Sequence, residues 1–395
     1  MMSEEKIRIE RIRVGDLENF ARSMISSIGQ DQLIPITLQR AIAHAHNPYA
    51  ERDDIGLLLA YIGEECVGYF GILPIMLKHE NKFSKVYWFS TWLVSPKYRG
   101  RSIGSHLMKD ALSISQDYMI VGSGPARKVC RKFDFHELPP LLYYSLDMSG
   151  MRRINPITWI SRIFRKILSP FGLRVQISND FTKLFENIAS PLTKRFFYWL
   201  AYQMEKGEIN AYRYNEVDEI SNHGLVLDDG LPRVSFYRGY EAINWMLKYP
   251  WVVESGQSPT EKTGFYFTDV RRKFFNRAIE VYSREENNYK GFVIMSFSMI
   301  GEKLVLKILD MHFLKKIDES SVLPLAIHYG RNLNADRIEL PKDIGDSVKS
   351  GIIRKLLLNE KLRIYQCHPE SEHSPLGQWW QEIELNYCDG DMPFT

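Results

Sequence analysis

Residues Trp92-Leu93-Val94-Ser95-Pro96-Lys97-Tyr98-Arg99-Gly100-Arg101-Ser102-Ile103-Gly104 run from an apolar strand through a short basic loop into a helix. Lys85 to Val94 reads as the strand, and Ile103, Leu107, Met108, Ala111 and Leu112 recur at the spacing of a helix with one buried face. A helix N-terminus leaves its first N–H groups unpaired and carries about half a positive charge. Small residues let a phosphate approach those groups, and Arg99 and Arg101 add positive charge at the same place. The segment is a candidate pyrophosphate cradle; the alternative is an ordinary polar turn into a surface helix.

Working outward, three apolar runs form a meander: Ile55 to Ile62, Cys66 to Leu77 and Lys85 to Val94, with turns at Gly63-Glu64-Glu65 and near Asn81. A strand at Lys6 to Val14 and a helix capped by Asp16, carrying Leu17, Phe20 and Met24, precede it. Beyond the cradle helix come a strand at Tyr118 to Val121, a helix opened by Ser123-Gly124-Pro125, and a strand at Leu141 to Leu146. That order predicts an α/β domain over residues 1–150. Between Asp147 and Asp180 there is no acidic residue, while Arg152, Arg153, Arg162, Arg165, Lys166 and Arg174 all fall there. This basic stretch, 151–180, reads as a helical linker. Its helix over 155–170 has two readings: contact with a membrane surface, or a linker helix packed on a domain.

From about Phe236 the order of elements repeats. A helix at Tyr240 to Lys248 precedes strands at Arg277 to Tyr282, Gly291 to Met299 and Lys303 to Leu309. A strand at Asp336 to Leu340, a helix at Ser347 to Asn359 and a strand at Leu362 to Cys367 come next. The fold expected is therefore α/β, two tandem domains, each a mixed twisted sheet flanked by helices, the second within 181–395 and degenerate. In the second copy the cradle position holds Phe313-Leu314-Lys315-Lys316-Ile317-Asp318-Glu319, with no glycine and two carboxylates. It cannot hold a pyrophosphate in the same way.

Composition narrows the function. At 395 residues, 45% hydrophobic and 25% charged, the chain has the make-up of a globular protein of two domains. A formal charge of +3 supplies no field for a polyanion, which argues against nucleic acid as a partner. Cys66, Cys130, Cys367 and Cys388 have no metal-ligand spacing, so no metal and a reducing compartment are expected. No apolar leader is visible and no window reaches the ~18 apolar residues of a membrane span, so the expected location is the cytoplasm. A homo-oligomer is compatible with all of this, and the oligomeric state is open.

The strand ending Val94-Ser95-Pro96 and the loop Arg99-Gly100-Arg101-Ser102-Ile103-Gly104 resemble the coenzyme A loop of the GNAT N-acyltransferase superfamily. Ser102 stands where that family usually has glycine. The resemblance implies an acyl-CoA co-substrate whose pantetheine arm pairs with the backbone of Leu93 and Val94, and whose pyrophosphate sits on Arg99, Gly100, Arg101, Ser102, Ile103 and Gly104. The family's next motif corresponds to Ser123 through Phe135, and it implies coenzyme contacts from Ser123 and Cys130. Two positions depart from the pattern. The tyrosine that often protonates the leaving thiolate falls on Cys130, and the glycine before the final aromatic falls on Asp134.

An amine attacks a thioester only when neutral, so a base and oxyanion donors are needed. Backbone N–H groups where Lys85 to Val94 splays from its neighbour can be the donors. That strand carries no carboxylate, and the segment Ala43-His44-Ala45-His46-Asn47-Pro48-Tyr49 offers the base. His46 is the candidate there; His79-Glu80 and Asp310-Met311-His312 are the others, with Asp310 at the end of the strand equivalent to the one ending in Val94. Across nearly the whole chain the arrangement resembles tandem-GNAT proteins of bacterial surface polysaccharide pathways. It implies transfer of an acetyl or short hydroxyacyl group to the amine of a nucleotide-linked amino deoxysugar, such as a dTDP-3-amino-3,6-dideoxyhexose, in O-antigen, lipopolysaccharide or capsule synthesis. Trp88, Trp92, Trp245, Trp251, Trp379 and Trp380 with Arg271 and Arg272 are the groups available for such a ligand. The alternatives are a protein or peptide N-acetyltransferase, or a non-catalytic coenzyme A-binding module.

Overall fold

The structure, a computed structural model, describes residues 6–27, 32–114, 116–122, 124–148, 194–199, 201–203, 209–224, 227, 232–256, 265–348 and 357–391. The linker expected over 151–180 and its helix over 155–170 lie outside these residues, as does Ser123. The chain divides into two compact units. One comprises Met1–Leu141, Asp218–Arg277 and Leu362–Thr395, the other Leu142–Val217 and Ala278–Lys361.

The first unit is built on a mixed sheet. Its strands, in bonded order, are Ile7–Arg13 (β1), Ile55–Ile62 (β2), Glu65–His79 (β3), Lys82–Val94 (β4), Tyr118–Val121 (β5), Tyr365–His368 (β17) and His136–Glu137 (β6); Val234–Tyr237 (β9) pairs with β3. The pairing of β4 with β5 is parallel and the other neighbours are antiparallel. The second unit's sheet runs Leu358–Arg363 (β16), Leu141–Asp147 (β7), Arg337–Pro341 (β15), Lys303–Phe313 (β14), Tyr289–Ile300 (β13), Phe274–Ser283 (β12) and Tyr212–Val217 (β8). Here too one pairing, β14 with β15, is parallel, and β7 lies antiparallel to β15. Read from opposite ends the two orders are the same path. Val253–Glu254 (β10) and Val270–Arg271 (β11) form a small parallel ribbon apart from both sheets.

The strand read from sequence as closing the first domain belongs to the other sheet. β7 lies between β15 and β16, and the place beside β5 that a returning strand would fill is taken by β17. Pro139-Pro140, directly before β7, have no N–H to donate and hold the chain extended, which disfavours a tight return onto β5. The run read as one strand from Leu362 to Cys367 is likewise two strands, β16 and β17, with only Ile364 between them and a different sheet on each side. The helix expected from Ser347 to Asn359 does not extend to its end, since Leu358 already begins β16.

Two apolar layers flank the first sheet. On one face Ile103–Leu112 (α3) and Gly124–Cys130 (α4) cover Leu58, Phe70, Ile72, Tyr87, Phe89, Tyr118 and Ile120. On the other, Leu17–Ser27 (α1) and Leu38–Ala45 (α2) cover Leu57, Leu59, Tyr69 and Leu93. A bulge decides which β4 residues face which layer. Phe70 pairs with Trp92 but Gly71 with Ser90, so Thr91 is an extra residue, held at φ +23°. One extra residue reverses the alternation of side chains. Phe89 and Trp92 therefore both face α3, and Leu93 faces α2. In β14 the register shifts at the same place: Ile294 pairs with Asp310 and Met295 with Ile308, leaving Leu309 as the extra residue.

In the second unit β7 is held by Tyr144, whose hydroxyl donates to Asp346 Oδ1 at 2.6 Å and whose ring lies where a side chain on Gly345 would project. Gly345→Ala forces a methyl into that ring and is expected to lower stability by about 1–3 kcal/mol. The measurement is the urea midpoint, and an unshifted midpoint would show that β7 is not held through Tyr144.

Candidate active site

β4 keeps its β5 partner only at Tyr87↔Tyr118, Trp88↔Met119 and Phe89↔Ile120. On its other side it stays paired with β3 out to Val94. Among the described residues Ser90–Val94 thus have no strand on the β5 side, and their backbone groups there line a V-shaped opening. Backbone polar groups left this way bind water or a ligand. Leu93 in this edge is buried and Val94 half-buried.

The loop leaves the end of that edge. Pro96–Tyr98 make one 3-10 turn, and Gly100 at φ +87° and Ser102 at φ +59° bend the backbone through left-handed conformations into α3. A left-handed serine costs roughly 1 kcal/mol that glycine would not. The Ser102 hydroxyl makes no capping bond, so it does not occupy the N–H groups at the start of α3. Arg99, Gly100, Arg101 and Ser102 are exposed, Ile103 is buried, and Gly104 is half-buried. Open space surrounds Gly100, whereas a Cβ on Gly104 would sit 3.2 Å from the Trp92 ring. Tyr98, buried, anchors the turn by donating to Glu65 Oε2 at 2.6 Å, and Lys97 pairs with the same carboxylate at 3.2 Å. Arg101 stacks on the Tyr98 ring at 5.2 Å. Exposed glycine, a positive pair and unoccupied helix N–H groups suit a pyrophosphate.

Cys130 ends α4 wholly buried within the α3-side layer, and burial pushes its thiol up to about 12. Asp134, the other departure from the family pattern, holds a left-handed φ of +56°.

On the opposite face, residues 43–45 are the last turn of α2 rather than loop, and His46 is its C-cap. His46 is exposed, stacks on Tyr249 at 4.5 Å, and has Nδ1 2.9 Å from the Ile42 carbonyl. A carbonyl only accepts, so this bond assigns the proton to Nδ1 and the lone pair to Nε2. Asn47 donates to the Pro74 carbonyl at 2.7 Å and ties the turn to β3. His79 stands further along β3 and meets Ser84 Oγ at 2.8 Å. Asp310 lies in the second unit, just past the bulge of β14; it is buried, accepts from Met311 N at 2.9 Å, and has His312 Nε2 3.5 Å away. Trp88, Trp245 and Trp251 are buried in the first unit's interior.

Three groups on the α2 side of the sheet were not singled out from sequence. Arg40 in α2 is 4% exposed, donates from Nη2 to the Thr268 carbonyl at 3.2 Å, and lies between the rings of Trp251 and Phe265 at 4.6 and 5.2 Å. Its Nε has no hydrogen-bond partner, and burial pulls the guanidinium down to about 10, still cationic at neutral pH. Tyr69, paired across strands with Leu93, has an unpartnered buried hydroxyl. His44, one helical turn after Arg40, stacks on Trp251 at 5.2 Å. An arginine and a histidine four residues apart were the legible signal, since that spacing puts them on one helix face.

Burial, with the nearby Arg40 charge second, pushes His44 down to about 3. The fold therefore holds the neutral ring while the unfolded chain protonates near 6.5. The His44 contribution is complete above pH 6.5 and is lost progressively toward pH 3. Between about pH 7.5 and about pH 5 this group is expected to remove about 2 kcal/mol of stability. His44→Leu should flatten that part of the melting-temperature profile against pH; an unchanged profile would mean the ring is not buried neutral.

Residues 27–135 match the sequence profile of the Acetyltransferase (GNAT) family. No curated protein matches the chain. Among solved structures, a conserved protein from Enterococcus faecalis V583 described as a probable N-acyltransferase aligns with TM-score 0.48 and 12% identity, over 92% of this chain and 72% of that one. A GCN5-related N-acetyltransferase from Anabaena variabilis aligns at 0.44 and 10% identity, over 93% and 73%. Saccharomyces cerevisiae N-myristoyltransferase with bound myristoyl-CoA aligns at 0.45 and 9%, over 93% and 79%. The family matched by residues 27–135 is the one that Trp92–Gly104 resembles, and the matched segment contains the loop, the opened β4 edge and α2.

Proposed function

We propose that the chain is an acyl-CoA-dependent N-acyltransferase whose acceptor is the amine of a nucleotide-linked amino deoxysugar. The observation that carries the first part is the unpaired β5-side edge of Ser90–Val94 running straight into the Arg99–Gly104 turn. Arg99, Arg101 and the first N–H groups of α3 would hold the pyrophosphate, and the free edge at Leu93 and Val94 would pair with the amides of the pantetheine arm. Acyl-CoA supplies the activated carbonyl as a thioester.

The amine nitrogen attacks that carbonyl, the C–S bond breaks, and coenzyme A leaves as thiolate. His46 Nε2, with its lone pair exposed, is the base proposed for the amine proton. Cys130, held near 12, keeps its proton, so the thiolate is protonated from solvent. N–H groups on the open edge are the donors for the tetrahedral oxyanion. The Arg40 guanidinium, set between the Trp251 and Phe265 rings, is the cation proposed for an acceptor bearing phosphate and a flat base.

Incubation with acetyl- and hydroxyacyl-CoA and a panel of nucleotide-linked amino sugars should release free thiol. Release with peptides but with no sugar would reject the acceptor class. Arg99→Glu combined with Gly104→Glu should abolish coenzyme A binding while leaving the circular dichroism spectrum unchanged; retained affinity would show that the loop is not the cradle.

A further inference from the structure

Gln366 is wholly buried in β17, paired with Ile120 of β5 on one side and Glu137 of β6 on the other. Neither its Oε1 nor its Nε2 has a hydrogen-bond partner. Nearby, Arg127 in α4 has a buried Nε that is also unpartnered. The two side chains meet over Gly122, the first residue past β5. A Cβ there would collide with Arg127 Cγ and would lie 3.1 Å from Gln366 Oε1. Gly122 stands two residues beyond Ile120, the last β5 residue paired to β4, and so at the mouth of the V-shaped opening.

Buried polar groups are almost always satisfied, and a leucine at 366 would fill the place without leaving two polar atoms orphaned. Arg127 Nε and Gln366 Nε2 are donors, and the carbonyl of a secondary amide offers them two lone pairs; a trans amide points its N–H the opposite way, which leaves it for the unpaired β4 edge. We infer that Gln366 and Arg127 form the seat for a secondary amide of the pantetheine arm, so that the C-terminal strand β17 completes the donor site of the first sheet. The inference rests on the acyl-CoA reading above. Arg127 is half-buried, so a change of rotamer can bring its guanidinium against the arm.

The test compares wild type with Gln366→Leu and Arg127→Met by calorimetric titration of acetyl-CoA and of 3′-phospho-ADP, which carries the pyrophosphate without pantetheine. Each variant should bind acetyl-CoA about tenfold more weakly while binding 3′-phospho-ADP as wild type does. Unchanged acetyl-CoA affinity in both variants, or equal loss for the two ligands, overturns the seat. Wild type that binds neither ligand overturns the acyl-CoA reading itself. Melting of the unliganded proteins checks folding: Gln366→Leu should melt no lower than wild type, and Arg127→Met, altering a partly exposed side chain, keeps the test available if it does.

Discussion

One extra residue in β4 governs the first unit. Thr91 is left without a counterpart on β3, the pleat reverses after it, and Trp92 comes to the α3 face that Phe89 already occupies. A strand bent in this way cannot stay parallel to β5, and the ladder stops at Phe89↔Ile120. The backbone groups beyond that point are then available to a ligand, and the strand delivers the chain to the Arg99–Gly104 turn at the same rim. Gly71, opposite the bulge, has no room for a side chain, since a Cβ there would lie 2.6 Å from Ser90 Oγ and 2.8 Å from Thr91 Oγ1.

The second constraint is connectivity. Each sheet takes the strand beside its parallel pair from a distant part of the chain: β17 for the first, β7 for the second. In both cases the strand fills an interior place with a bonded neighbour on each side, so neither sheet is continuous without it. Such pairings have long sequence separation, so each closes a long loop at an entropic cost. They also place residues from the end of the chain, Gln366 among them, in the sheet whose loop and open edge lie some 270 residues earlier.

Much of this was legible from local pattern. Helical periodicity located α3 and the helix Tyr240–Lys248, and the turn Gly63-Glu64-Glu65 marked a hairpin that the structure contains. The strands at 141–147 and 362–368 were legible as strands but not as members of their sheets. Alternation along a strand reports which side is buried and is silent about the neighbour. The bulge left a trace, since Tyr87 and Phe89 are followed by Trp92 and Val94 instead of residues 91 and 93 as the apolar set of one face. Arg40 and His44 look like an ordinary polar stripe on a surface helix. Only Trp251, Phe265 and Thr268, more than 200 residues later, bury them.

The same backbone device occurs twice with different chemistry. β14 also carries an extra residue and also loses its parallel partner, after Lys307↔Glu339, so Ile308–Phe313 form a second unpaired edge among the described residues. The turn beyond that edge is of another kind. In place of glycine and two arginines there is a 3-10 turn, Lys316–Ser321, holding Asp318, 6% exposed, and Glu319, whose carboxyl is pushed up by burial. Tyr212 donates to Asp318 Oδ1 at 3.1 Å, and no left-handed residue opens the turn. An anion brought there would face carboxylates where the first sheet offers guanidinium groups. The two sheets therefore share the opened strand, a property of backbone register, and differ in the few side chains of the turn beyond it. Any function of the second edge has to be sought in ligands that tolerate or prefer the buried carboxylate of Asp310.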